Sequence, residues 1–167
     1  DWSSDVCSSD LLKMHGGVGK IVAGKPLDPA LTQENVEAVR KGGENLAKQI
    51  ENIRLFGVPA VVAINAFPTD TEAEYAAIKE VAMAAGAHAA VVTRNFADGG
   101  KGAAELAEAV WAAASDSGSK YEPLYPDDLP LGEKIERIAV KVYGAAGVDF
   151  LPEARKQLDR MESQGYG

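Results

Sequence analysis

Val58-Pro59-Ala60-Val61-Val62-Ala63-Ile64, running into Asn65-Ala66-Phe67-Pro68-Thr69-Asp70-Thr71-Glu72-Ala73-Glu74, decides the fold. Seven residues rich in β-branched side chains, with no charge among them, read as a strand buried on both faces. Pro59 stands at its start, where a missing N–H is tolerated. Thr71 with Glu74 three residues on is a capping box, so a helix opens there. Tyr75, Ile78, Ala82 and Ala85 share one side of that helix, and Gly86 closes it. A second apolar run, residues 87–93, repeats the strand signal, and residues 103–114 repeat the helix, with Leu106, Ala107, Val110 and Trp111 facing inward. Strand, helix, strand, helix is the order of a parallel α/β sheet.

Upstream, Val36, Val39, Leu46, Ile50 and Ile53 fall at helical spacings over residues 34–56. Gly57 is placed as the residue after the helix. Gly42-Gly43 interrupts it. Close packing against a neighbour and a plain weak point are both open readings, since each glycine costs up to about 1 kcal/mol against alanine. Downstream of the break at residues 116–119 the strands stop. Residues 121–130 read as a Pro-rich connector. Residues 133–143 form an amphipathic helix on Ile135, Ile138, Ala139 and Val142, and Pro152 is suited to the first position of a last helix ending near Ser163. The fold class expected is therefore α/β, a partial parallel sheet with flanking helices, followed by a helical C-terminal segment. Its parts are residues 12–117 and 118–167.

Residues 1–11, DWSSDVCSSDL, have no hydrophobic period and resemble an in-frame translation of a sequencing-library adapter. They are set apart from the fold, as a fusion scar would be. Cys7 is the one cysteine and lies within them, so the rest of the chain offers neither a disulfide nor a thiolate metal site. Without Asp1, Asp5 and Asp10 the formal charge moves from −8 to about −5. An acidic chain with no Lys/Arg cluster argues against nucleic acid as a partner. No run of about 18 apolar residues occurs, so no membrane helix is expected. The cysteine-free remainder fits a cytoplasmic protein. Both ends read as interior to a longer chain.

Lys13-Met14-His15-Gly16-Gly17-Val18-Gly19-Lys20 imitates a phosphate-binding loop and fails its test. Met14 and Ile21 occupy the positions that need Gly and Ser/Thr. The plainer reading is a flexible turn after a strand. His88 lies in a strand-like run and reads as a core residue. No zinc motif, nucleophile elbow or GxGxxG dinucleotide fingerprint occurs, which leaves zinc catalysis, serine hydrolysis and nicotinamide chemistry without support.

The candidate site is at the strand ends, where ligands bind in parallel sheets. Phe67 sits two residues past the first strand, and Pro68 restricts it to extended dihedrals. It either stacks on a flat heterocycle or folds back to plug the sheet. Asn65 could bond to a neighbouring loop; for Asp70 a structural, helix-capping part is favoured. Phe96 occupies the equivalent loop after the next strand, with Gly99, Gly100 and Gly102 permitting close backbone approach. If the strands are neighbours, Phe96 becomes the second jaw around a planar ligand.

Taken in order, Leu12-Lys13-Met14-His15-Gly16-Gly17-Val18, Glu34-Asn35-Val36-Glu37-Ala38, Ile50-Glu51-Asn52-Ile53, Phe56-Gly57-Val58-Pro59, residues 62–72, Gly99-Gly100-Lys101-Gly102, Glu133-Lys134-Ile135, Tyr143-Gly144-Ala145 and Gly165-Tyr166-Gly167 resemble the formate–tetrahydrofolate ligase family. The resemblance implies a P-loop NTPase-like scaffold and an enzyme that joins formate to tetrahydrofolate. ATP is consumed with Mg, formyl phosphate is the intermediate, and the products are 10-formyltetrahydrofolate, ADP and phosphate. It implies a homotetramer and a cytoplasmic location. Phe67 and Pro68 match the family's folate-contacting pair. Phe96 stands where the family often has Trp, keeping a stacking face with less area and no indole N–H. The family's phosphate loop and formyl-phosphate residues would lie upstream of Leu12, so the chain by itself is expected to be inactive. The competing reading is a non-catalytic folate- or nucleotide-binding α/β module.

Overall fold

The computed structural model describes residues 8–20, 22, 24–116 and 118–166. Residues 1–7, with Cys7, and Ile21, Ala23, Ser117 and Gly167 lie outside the described residues. The chain divides into two compact units, residues 1–120 and 121–167.

In the first unit the order is α1 (Ser9–His15), α2 (Pro29–Thr32), α3 (Val36–Arg54), β1 (Val61–Asn65), α4 (Glu72–Ala84), β2 (Ala89–Thr93), α5 (Asn95–Asp98), a 3-10 turn (Gly99–Ala103) and α6 (Ala104–Ala114). β1 and β2 pair in parallel, Val61 with Ala89 through Asn65 with Thr93. The α/β class is as the sequence reads. The core joins Val39, Leu46 and Ile50 of α3, Val62 and Ile64 of β1, and Tyr75, Ile78 and Ala82 of α4.

Several local expectations change. β1 buries alternate residues, Val62 and Ile64, while Val61, Ala63 and Asn65 are only half-buried. Two strands leave one face incompletely covered, so a run that reads as doubly buried is buried on one side. Asn65 belongs to the strand and is not a loop residue. His88 is exposed, one residue before β2, instead of lying in the core. Ile53 is exposed at the end of α3. On α6 the inward residue is Ala113, with Leu106 and Ala109 half-buried; Val110 and Trp111 point to solvent and Ala107 is exposed. Glu105 and Glu108 mark one polar side, but the rest of the helix is apolar, so its sequence does not say which of the remaining residues meet the sheet.

Helix α1 also departs from expectation. It begins at Ser9, inside the segment set apart as foreign, and Ser8 and Ser9 are buried. A helix, not a strand, precedes the glycines. Those glycines have a packing role. A Cβ on Gly16 would overlap the Ala38 carbonyl, and one on Gly42 would overlap the Leu12 carbonyl. α1 and α3 therefore cross backbone to backbone, and Gly43 admits Val81 of α4. Close packing, not weakness, accounts for Gly42-Gly43. Gly57 ends the α3 segment with φ +70° and Gly86 the α4 segment with φ +87°, as glycine alone does at low cost.

The second unit holds α7 (Leu131–Lys141) and α8 (Pro152–Ser163), the latter with Pro at its first position. Neither helix has a fully buried residue. Glu162 accepts the Leu131 N–H at 2.8 Å and Arg155 lies 5.0 Å from the Phe150 ring centre.

Candidate functional site at the strand ends

Parallel pairing of β1 and β2 puts the segments that follow them side by side. Ala66 N–H donates to the Thr93 carbonyl at 3.0 Å, extending the ladder one step past the strands. Beyond it opens a cleft of about 480 Å³ lined by Asn65, Ala66, Phe67, Pro68, Thr93, Arg94, Asn95, Phe96 and Ala97. Phe67 does not plug the sheet: it lines the cleft and is 43% exposed. Phe96, carried on α5, lines the same cleft and is fully exposed. Both rings and Pro68 thus meet at one opening. A cleft of this size and apolar character suits a small planar ligand.

Residues 94–102 are two short helical turns, where an open loop was expected. Arg94 N–H donates to the Gly102 carbonyl at 3.0 Å, and Thr93 Oγ1 donates to the same oxygen at 3.2 Å. A Cβ on Gly102 would strike the Arg94 carbonyl, so this glycine is required for the turn to close. Gly99 and Gly100 line neither the cleft nor the groove beside it, and a Cβ on either would meet nothing within 4 Å.

The Phe67–Asp70 turn is held from several directions. Asp70 Oδ2 accepts the Phe67 N–H at 2.9 Å and the Tyr75 hydroxyl at 3.3 Å; Oδ1 accepts the Ser9 hydroxyl at 2.5 Å. Asp70 is structural, but it fastens the turn and does not cap the helix. Thr71 is the cap, with the full reciprocal box to Glu74. Burial, and then the charge and hydrogen bond of Asp70, push the Tyr75 phenol up to about 12.

Beneath the turn lies a feature that sequence reading missed. Glu74 and Lys13 are both buried and paired at 3.0 Å. Glu74 Oε1 also accepts the Asn35 N–H at 2.9 Å, and Oε2 accepts the Thr71 N–H at 3.3 Å. Lys13 Nζ donates to the Gln33 carbonyl at 3.0 Å. One carboxylate therefore ties the starts of α3 and α4 to α1. No spacing rule links position 13 with position 74, so only the fold brings them together.

The first residues of the phosphate-loop imitation, Lys13 to His15, are the last turn of α1, and Lys13 is committed to Glu74. No group of three or more His, Cys, Asp or Glu side chains suited to a metal occurs among the described residues. No described helix is long and apolar enough to cross a membrane.

Two parallel strands with a cleft at their carboxyl ends have the arrangement in which parallel α/β sheets place their ligands, so the cleft is the candidate site. The model of the formate–tetrahydrofolate ligase family matches residues 6–167, and the chain belongs to that family. It is 51% identical over 156 residues to a formate–tetrahydrofolate ligase of Roseiflexus sp. (strain RS-1), covering 93% of this chain and 28% of the relative. A formate–tetrahydrofolate ligase of Desulforamulus reducens is 48% identical over 161 residues, with 96% and 28% covered. The cytoplasmic C-1-tetrahydrofolate synthase of Saccharomyces cerevisiae is 48% identical over 156 residues, with 93% and 16% covered. The chain thus spans less than a third of the length of these relatives.

Proposed function

We propose that this chain supplies the folate-holding wall of an ATP-dependent ligase that joins formate to tetrahydrofolate. In that reaction the terminal phosphoryl group of ATP passes to a formate oxygen, leaving ADP and formyl phosphate. The folate amine then attacks the formyl carbon, loses its proton and expels phosphate, giving 10-formyltetrahydrofolate. Formate needs this activation because its oxygen is a poor leaving group until phosphorylated.

The observation that carries the reading is the pair Phe67 and Phe96 on adjacent strand-end segments, lining one cleft. Stacking a pterin between two rings contributes roughly 1–3 kcal/mol per face, by analogy with base–aromatic stacking. Pro68 and the Asp70 bond to Phe67 N–H keep the first ring in place before the ligand arrives. Asn65 and Thr93 line the same cleft. ATP, Mg and formate are assigned to residues outside this chain, so the chain alone has no turnover. Cytoplasmic location and a homotetramer follow from the family reading.

The test is kinetic, in a full-length protein carrying this chain. Phe67→Ala is expected to raise the half-saturating tetrahydrofolate concentration about tenfold, with that for ATP unchanged. Equal effects on both substrates, or none, remove the stacking role. Failure to form ADP in a formate- and folate-dependent way overturns the activity itself.

A further inference from the structure

Beside the cleft runs a second depression of about 390 Å³, lined by Glu72, Tyr75, Lys79, Val92, Arg94, Asp98, Lys101, Gly102 and Glu105. Arg94 is the one residue lining both it and the cleft. We propose that this groove receives the anionic glutamate tail of the folate, with Arg94 as the residue that selects it. The proposal rests on the folate reading of the cleft. A folate is a flat pterin joined through a benzoyl group to one or more glutamates, so a pterin held by Phe67 and Phe96 needs a neighbouring place for carboxylates.

Arg94 is suited to that part by its backbone and its present partner. Its N–H and carbonyl are fixed against Gly102, so the side chain leaves the strand end from a defined point. Its guanidinium has only a loose contact with Glu72, 3.9 Å in an exposed pair. A contact of that length in water holds little free energy. A ligand carboxylate can replace it with a bidentate pair of shorter, charge-assisted bonds.

Further along, Lys79 and Lys101 line the same groove. Cations and carboxylates there are equal in number, so the groove attracts by placement and not by net charge. This favours a tail whose successive carboxylates meet particular cations, and it makes the attraction sensitive to salt.

The experiment compares two ligands that differ only in the tail. Pteroate carries the pterin and benzoate without glutamate; folate carries one glutamate. Equilibrium binding of each is measured in a full-length protein carrying this chain and in its Arg94→Gln variant. Folate is expected to bind the parent protein more tightly than pteroate, and Arg94→Gln is expected to weaken folate about fivefold while leaving pteroate unchanged. A triglutamate folate should lose more than the monoglutamate on Lys101→Gln. If Arg94→Gln weakens both ligands equally, or neither, the tail site is wrong and the cleft reading stands. If the parent protein binds neither ligand, the cleft reading fails and takes the tail site with it.

Discussion

Removing Lys13 should cost this fold more than removing any exposed charge. Lys13 and Glu74 are 1% and 0% exposed at their side chains and lie 3.0 Å apart. With Lys13→Met, the Glu74 carboxylate keeps the Asn35 and Thr71 N–H groups and loses its counter-charge. Breaking a buried pair by removing one partner costs about 3–5 kcal/mol, because a buried charge is left uncompensated. Total domain stability is only about 5–15 kcal/mol, so this single change removes a large share. Glu74→Gln leaves the ammonium with the Gln33 carbonyl alone and should cost a similar amount. The double variant Lys13→Met/Glu74→Gln buries no charge, and the new side-chain amide still offers its carbonyl to one N–H. It should recover at least half of the single-variant loss, so the double-mutant cycle departs from additivity by about 4 kcal/mol or more. Urea unfolding followed by circular dichroism gives all four stabilities. A Lys13→Met cost below about 1 kcal/mol, or strict additivity in the double variant, would show that water reaches the pair and that the buried-ion argument is mistaken.

Gly42→Ala should destabilise by at least about 2 kcal/mol although alanine is the better helix former by about 1 kcal/mol; the new Cβ has backbone, the Leu12 carbonyl, in its way, whereas Gly43→Ala meets only the Val81 side chain and should cost less. Both are read by thermal denaturation. The Tyr75 phenol, raised from 10.0 to about 12, makes the native state bind a proton that the unfolded state has lost. Its stabilisation is complete below pH 10 and disappears as pH rises from about 10 to about 12. Urea midpoints across that range should fall more steeply for the native protein than for Tyr75→Phe, and parallel slopes would contradict the assignment. Phe96 is fully exposed, so Phe96→Trp should leave the unfolding midpoint within about 0.5 kcal/mol. The larger ring should tighten tetrahydrofolate binding several-fold by titration, and unchanged affinity would take Phe96 out of the site.

Local chemistry made much of this protein legible before any coordinates. The capping box at Thr71 and Glu74, the strand runs, the glycine ends and Pro152 act through neighbours in the chain, so adjacency alone reveals them. The strand-helix-strand order also places Phe67 and Phe96 at the same end of a parallel sheet. What adjacency could not supply was which face of each element meets another. Helix α6 is apolar apart from Glu105 and Glu108, and only its seating decides that Ala113 goes inward and Trp111 outward. The glycines at 16 and 42 look like a failed phosphate loop and a helix defect until the crossing of α1 and α3 shows each facing the other helix's carbonyl. Lys13 and Glu74 are 61 residues apart in sequence and Arg94 bridges two depressions formed by different segments. Contacts at such separation depend on where the backbone brings side chains together, and that is set by the packing of the whole unit.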